Sequence, residues 1–254
     1  MTRPTLIFLH ALGASARSWQ PVRDRLAGHD GIALDLPGFG AAEATGDGRC
    51  ETMVAQVVAT LHERGVTDAL LVGHSMGGKI ATLIAARAQA GASGLAIRGV
   101  VLVAASPPSP EPMDEARRER MIGWFADGAP TEADAAAFVD ANTASPLPEP
   151  WRGQAIADVR RSRPAAWRGW LEQGSREDWG DRVGRIACPA LILAGQEDGD
   201  LGAEAQRRLN LPHYPDAVLQ IVAGAAHLIP YEQPEALAAL IRDHAARCSP
   251  DPHQ

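Results

Sequence analysis

Few features of this chain could act as covalent or metal staples. Its 254 residues include three cysteines, Cys50, Cys188 and Cys248, widely spaced and without a C-x-x-C pair. Such a pattern suggests neither a disulfide framework nor a zinc site, and the three are expected as free thiols in a reducing compartment. No apolar run approaches the ~18 residues that a membrane span needs, because LLVG and GVVLVAA are both interrupted early. Basic residues are not in excess either: the formal net charge is −7, spread along the chain. That balance argues against nucleic acid or an anionic membrane as the main partner and fits a small neutral or weakly charged ligand. TLIFL, residues 5 to 9, already reads as a strand and leaves no room before it for the basic and apolar parts of a signal peptide, so the expected location is cytoplasmic. Lysine is almost missing, Lys79 being the only one among 24 basic residues.

What is present points to an ordinary globular core. With 46% apolar and 22% charged residues, the chain can bury one large α/β domain without staples. Short runs rich in β-branched residues recur at Thr5 to Leu9, Gly31 to Leu36, Ala69 to Val72, Gly99 to Ala104, Pro189 to Leu193 and Val218 to Val222; they read as six buried strands. Helical periodicity occupies Cys50 to Arg64, Met76 to Ala90 and Pro234 to Arg247. Strand alternating with helix predicts an α/β fold: a mostly parallel sheet of about six strands with helices on both faces.

The alternation breaks once. Between residues 106 and 185, Pro-rich flanks (SPPSPEP and SPLPEP) enclose amphipathic helical segments without a convincing strand. This predicts a helical cap inserted into a core made of 1–105 and 186–254. Thr131 with Asp134 reads as the N-cap of one cap helix. Five of the six tryptophans fall in this insertion. No solenoid period is visible, and the tail CSPDPHQ is expected to be disordered.

The stretch LVGHSMGGKIA (71–81) admits two chemistries. Gly73, Ser75 and Gly77 form G-x-S-x-G between strand-like ALLV and helix-like KIATLIAARA, the strand-turn-helix context of a nucleophile elbow. Gly73, Gly78 and Lys79 also approach a P-loop, but that loop needs a Ser or Thr for Mg²⁺ where this chain has Ile80. A second near miss, DLPGFGAAE, has Gly38 and Gly40 but lacks the third glycine of a dinucleotide fingerprint and reads as a tight turn, so no NAD is expected. A nucleophilic serine needs a base and a carboxylate that orients it. PALILAG runs into QEDGD, placing Asp198 just past one strand end, and VLQIVAG runs into AAHLIP, placing His227 past the next.

On these segments, together with FLHALGAS, GHSMGG, ILAGQEDG and GAAHLIPYEQPE, the chain resembles the α/β-hydrolase family over nearly its whole length. The resemblance implies Ser75 as nucleophile, His227 as general base and then acid, and Asp198 as the residue that orients the imidazole. Asp198 is chosen over Glu197 and Asp200 by the family's G-x-x-D spacing from Gly195. In the family's strand order, 2-1-3-4-5-6, the loops leaving strands 1 and 3 meet at the switch point where ligands bind. The backbone N–H groups of Leu12 and Met76 would then form the oxyanion hole. Two departures stand out: His10-Ala11-Leu12-Gly13 replaces the usual His-Gly-x-Gly, and the family's first strands have no counterpart. His10 and His74 are expected to be structural.

The serine separates this chain from the aspartate-using dehalogenases and epoxide hydrolases of the family. The activity so implied is cleavage of a carboxylic ester or lactone through an acyl-enzyme, with no metal and no organic cofactor, by a monomer or homodimer. Trp124, Phe125, Trp151 and Trp167 are the cap residues expected against an apolar or aromatic part of the substrate. Carbon–carbon bond hydrolysis, perhydrolysis and thioester cleavage use the same triad. A small-molecule receptor without turnover is the alternative outside enzymology.

Overall fold

Apolar runs that are continuous, not alternating, call for burial on both faces. In the computed structural model, which describes residues 3–26, 28–29, 31–42 and 46–249, each run becomes a strand of one sheet. These are β1 (Thr5–Leu9), β2 (Gly31–Leu34), β3 (Asp68–His74), β4 (Ala96–Val103), β5 (Ala190–Gly195) and β6 (Ala217–Val222). All pairs are parallel, and the order is β2-β1-β3-β4-β5-β6. Because side chains alternate along a strand, Ile7, Leu9 and Leu71 enter the core on one side of the sheet. Leu6, Phe8, Leu70 and Val72 enter the core on the other.

Helices α1 (Gln20–Arg23), α2 (Cys50–Glu63) and α3 (Met76–Gln89) precede β4; α9 (Ala203–Leu209) links β5 to β6; α10 (Ile229–Glu232) and α11 (Pro234–Cys248) follow. Met53, Val54, Val57 and Leu61 of α2 supply the first core, and Leu237, Ala238 and Ile241 of α11 supply the second.

Among the boundaries that differ from the sequence expectation, two have a visible physical cause or consequence. β2 ends at Leu34, two residues early, because the Leu36 N–H donates to His10 Nε2 (2.9 Å) in place of a ladder carbonyl. Asp35 has meanwhile turned to accept from Ala16 N and Ala41 N. At the other end of the chain, Cys248 belongs to α11 and is buried, so the expected disordered tail is not disordered at its first residue. Residues 250–254 of that tail lie outside the described residues.

Between β4 and β5 the described residues form no strand. Five helices occur there: α4 (Glu115–Gly123), α5 (Glu132–Asp140), α6 (Trp151–Arg161), α7 (Pro164–Glu172) and α8 (Gly180–Val183). Asp114 and Thr131 cap α4 and α5 by accepting from Arg117 N (2.9 Å) and Asp134 N (3.1 Å), each a contact worth about 1 kcal/mol. Lys79, for which the sequence suggested no role, is fully buried in α3. Its ammonium donates to the carbonyls of Glu177 (2.7 Å) and Ser109 (3.2 Å), near the two ends of this insertion. The single lysine thus fastens the helical segment to the helix behind Ser75.

Candidate active site

Ser75 occupies the single residue between β3 and α3, with φ 51° and ψ −118°. A positive φ at a residue with a β-carbon is strained and persists only where the surroundings enforce it. Ser75 N donates to Val103 O (3.0 Å), and Ser75 O accepts from Ser106 N (3.0 Å) and Gly78 N (2.8 Å). The neighbouring glycines let helix and strand close on this turn. A β-carbon on Gly73 would lie 2.4 Å from Gly77 O, and one on Gly78 would lie 2.4 Å from the β-carbon of Ala105.

The loop after β1 approaches from the side, and Gly77 N donates to His10 O (3.1 Å). His10 is a saturated structural residue: Nε2 accepts from Leu36 N, and Nδ1 donates to Ala11 O (2.7 Å). Burial, the dominant influence, holds its pKa low and the ring neutral. Among the described residues of this loop only Gly13 has a positive φ, 72°. Ala11 therefore replaces the family's glycine without backbone strain. The amides of Leu12 and Met76 make no backbone hydrogen bond among the described residues, which leaves both donors available where the two loops converge.

Asp198 and His227 arrive from the ends of β5 and β6. His227 Nδ1 lies 2.7 Å from Asp198 Oδ2, while Asp198 Oδ1 accepts from Leu201 N (3.1 Å). Of the competing carboxylates, Glu197 is exposed and Asp200 pairs with Arg117. Burial acts against both charges of the pair, but their attraction and hydrogen bond prevail. The His227 pKa is held above its ordinary value and that of Asp198 below.

Ser75, Asp198, His227 and Leu12 all line one cavity of about 180 Å³. Met113, Met121, Phe138 and Trp170 provide its apolar wall, and Glu111, Arg117, Asn142 and Asp200 its polar one. Trp124, Phe125, Trp151 and Trp167, the expected substrate contacts, do not line it. Trp167 instead stacks on Phe125 at 4.6 Å, donates its indole N–H to Met121 O (2.8 Å) and packs over Gly13. Trp124 meets Phe138, and Trp151 meets Tyr231. Trp170 was visible only as one of five tryptophans, and Asn142 and Arg117 carried no motif. Among the described residues no group of three or more His, Cys, Asp or Glu side chains could hold a metal ion. No helix among them is long and apolar enough to cross a membrane.

His74 lies beneath the loop that carries His227. Its Nε2 donates to His227 O (2.8 Å), and burial, reinforced by the charge of His227, pushes its pKa down to about 3. In the unfolded chain the same ring titrates near 6.5. Below that pH the unfolded state takes up a proton that the folded state refuses, so folding stability falls with falling pH until about pH 3. The expected slope from this residue is about 1.4 kcal/mol per pH unit. Denaturant titrations at pH 7, 6 and 5 measure it. In His74→Phe the dependence on pH should be shallower by that amount; an unchanged slope would show that His74 is not buried neutral.

The Alpha/beta hydrolase family model matches residues 6–240, and the chain belongs to that family of enzymes. Over 96 residues it is 35% identical to the 2-succinyl-6-hydroxy-2,4-cyclohexadiene-1-carboxylate synthase of Salmonella paratyphi C, a stretch that covers 38% of either chain. The match thus spans well under half the length of that relative. An esterase from Exiguobacterium antarcticum shares the fold at a TM-score of 0.84 with 19% identity, over 96% of this chain and 92% of its own. MenH from S. aureus does so at 0.76 with 19% identity, over 98% and 95%.

Proposed function

We propose that this enzyme cleaves a small, uncharged carboxylic ester or lactone through an acyl-enzyme intermediate. The observation that carries the reading is the convergence on one cavity of a strained, outward Ser75 and a His227 already bonded to a buried Asp198. Ser75 Oγ attacks the carbonyl while His227 Nε2 takes its proton, and the resulting imidazolium is stabilised by Asp198. The Leu12 and Met76 amides receive the developing oxyanion, an interaction worth about 3 kcal/mol per donor in the barrier. As the tetrahedral adduct collapses, His227 returns the proton to the leaving alkoxide. Water then repeats the sequence on the acyl-serine and regenerates Ser75.

The cavity wall supports the substrate class. Glu111, Glu197, Asp198 and Asp200 line it against one cation, Arg117, which is itself paired with Asp200. Such a field disfavours an anionic substrate. The small volume and the Met113, Met121, Phe138 and Trp170 wall favour a compact apolar acyl group.

A second reading is the proton chemistry of a synthase, favoured by the 35% identity to the Salmonella enzyme. The product in that enzyme's name carries a ring carboxylate and the free carboxylate of a succinyl group, and one engaged arginine is a poor match for two such charges. A panel of chromogenic esters with neutral acyl chains of rising length, plus hemiesters of dicarboxylic acids, separates the readings. Expected are turnover of the short neutral esters and, after rapid quench, an intact mass increased by the acyl group on Ser75. Absence of both turnover and adduct across the panel would sink the ester reading.

A further inference from the structure

We infer that Glu232 is a positioning residue for His227, acting by tying the catalytic loop to the helical insertion; this rests on the proposed role of His227 as the base. The motif GAAHLIPYEQPE contains this glutamate five residues after the histidine, and no step of the reaction uses it. Its two carboxylate oxygens accept from two backbone amides on different parts of the chain. Oε1 takes Ala144 N (2.6 Å), in the segment between α5 and α6. Oε2 takes Ala226 N (3.1 Å), the residue before His227.

The same joint is closed again on the far side of the histidine. Asn142 O accepts from both His227 N and Leu228 N, at 3.1 Å each. Asn142 is in turn held by its Nδ2 on Phe138 O (2.7 Å) and by Arg117 on its Oδ1 (3.3 Å). Below the loop, His74 Nε2 fixes the His227 carbonyl. The amides of residues 226, 227 and 228 therefore all donate outside their own loop: one to Glu232, two to the insertion. Glu232 bridges the two bodies directly.

The chemistry requires a carboxylate. The two N–H donors meet different oxygens of the carboxylate; a glutamine in the same pose would turn its NH₂ toward one of them, donor to donor. Both contacts are partly buried, and an amide left there without a protein acceptor loses a charge-assisted hydrogen bond, so the joint loosens or shifts when Glu232 is changed. His227 Nδ1 sits only 2.7 Å from Asp198, and a displacement of about 1 Å is enough to cost on the order of 100-fold in rate. Segment 142–144 is thus part of the catalytic frame. If it moved outward to admit substrate it would take the His227 amide contact with it, so the base is assembled only while the insertion is seated.

The test compares native protein, Glu232→Ala and Glu232→Gln in steady-state ester hydrolysis, in amide hydrogen exchange, and in the downfield proton spectrum that reports the His227 Nδ1–H bond to Asp198. Expected for Glu232→Ala are a kcat lowered 10- to 100-fold with KM changed less than threefold, a broadened or shifted Nδ1–H signal, and faster exchange at Ala144 and Ala226 together. Glu232→Gln, nearly isosteric, is expected between native and Ala, and it decides the matter alone should Glu232→Ala fail to fold. Native kcat and an unmoved Nδ1–H signal in the folded Gln variant, and in the Ala variant if folded, would overturn the role of Glu232. Acyl trapping and Ser75→Ala keep the two ideas apart: an adduct on Ser75 with unaffected Glu232 variants rejects only the positioning role, whereas turnover undiminished in Ser75→Ala rejects the assignment of the triad.

Discussion

Ser75→Ala is expected to lower kcat for a short chromogenic ester about 10⁶-fold, and Asp198→Asn about 10⁴-fold, with neither variant unfolding. Removing the hydroxyl removes the atom proposed to form the acyl bond. The backbone strain at φ 51° is unchanged, because alanine meets the same steric limits as serine. The asparagine variant acts differently. Its amide can present a hydrogen to His227 Nδ1, forcing the ring proton onto Nε2, where the ring could no longer take the Ser75 proton as the proposed mechanism requires. The carboxylate is also what holds the His227 pKa above its ordinary value against burial. In the native enzyme, kcat/KM is therefore expected to fall with acid through an inflection above pH 6.5, where the base becomes protonated. In Asp198→Asn the raising influence is gone and burial remains, so the residual activity should show its inflection at lower pH. Stopped-flow rates between pH 4.5 and 9, with thermal unfolding to confirm the fold, read both effects. A Ser75→Ala variant retaining more than about one hundredth of the native kcat would count against the elbow as the site of attack.

The parts of this molecule that were legible in the sequence are those where one physical requirement dominates. Strands covered on both faces must be continuously apolar, and the six runs appear as six strands in the expected order. The turn at Ser75 must have glycines where helix and strand touch, and Gly73, Gly77 and Gly78 are where a β-carbon would collide. The end of β2 was not legible, because a side chain from β1's loop, His10, terminates its ladder from outside.

The insertion resists for a different reason. Trp167 and Trp170 lie three residues apart on one face of α7, and both are buried. Helical periodicity shows that such a face is covered, without showing by what. One ring ends on Phe125 and Gly13 and the other at the cavity, a difference set by how five short helices settle on the core. Lys79 belongs to the same class. Its buried ammonium has meaning only through two carbonyls 30 and 98 residues away in sequence.

The same chemical change at two glycines is expected to have opposite results. A β-carbon on Gly77 would stand 2.4 Å from Leu9 O, 2.6 Å from Leu9 C and 2.7 Å from His10 O. All three are backbone atoms at the end of a central strand, so none can rotate away. Gly77→Ala must push the first turn of α3 off β1, and it then weakens the Gly77 N to His10 O contact that holds together the two loops proposed to form the oxyanion hole. Overpacking of this kind costs about 1–3 kcal/mol. The greater effect falls on catalysis: the Met76 amide travels with α3 while the Leu12 amide stays with β1, and separating two such donors by about 1 Å is expected to lower kcat on the order of 100-fold. Gly123, the last residue of α4, has nothing within 4 Å of a built β-carbon and no positive φ. There the gain in helix propensity has no opposing clash, and Gly123→Ala is expected to stabilise by about 0.5–1 kcal/mol with kcat unchanged. Denaturant unfolding and ester turnover on the two variants side by side provide the check. Because the added methyl is the same, a Gly77→Ala enzyme with native kcat would mean that helix and loop move together, and that the oxyanion donors are not divided between them.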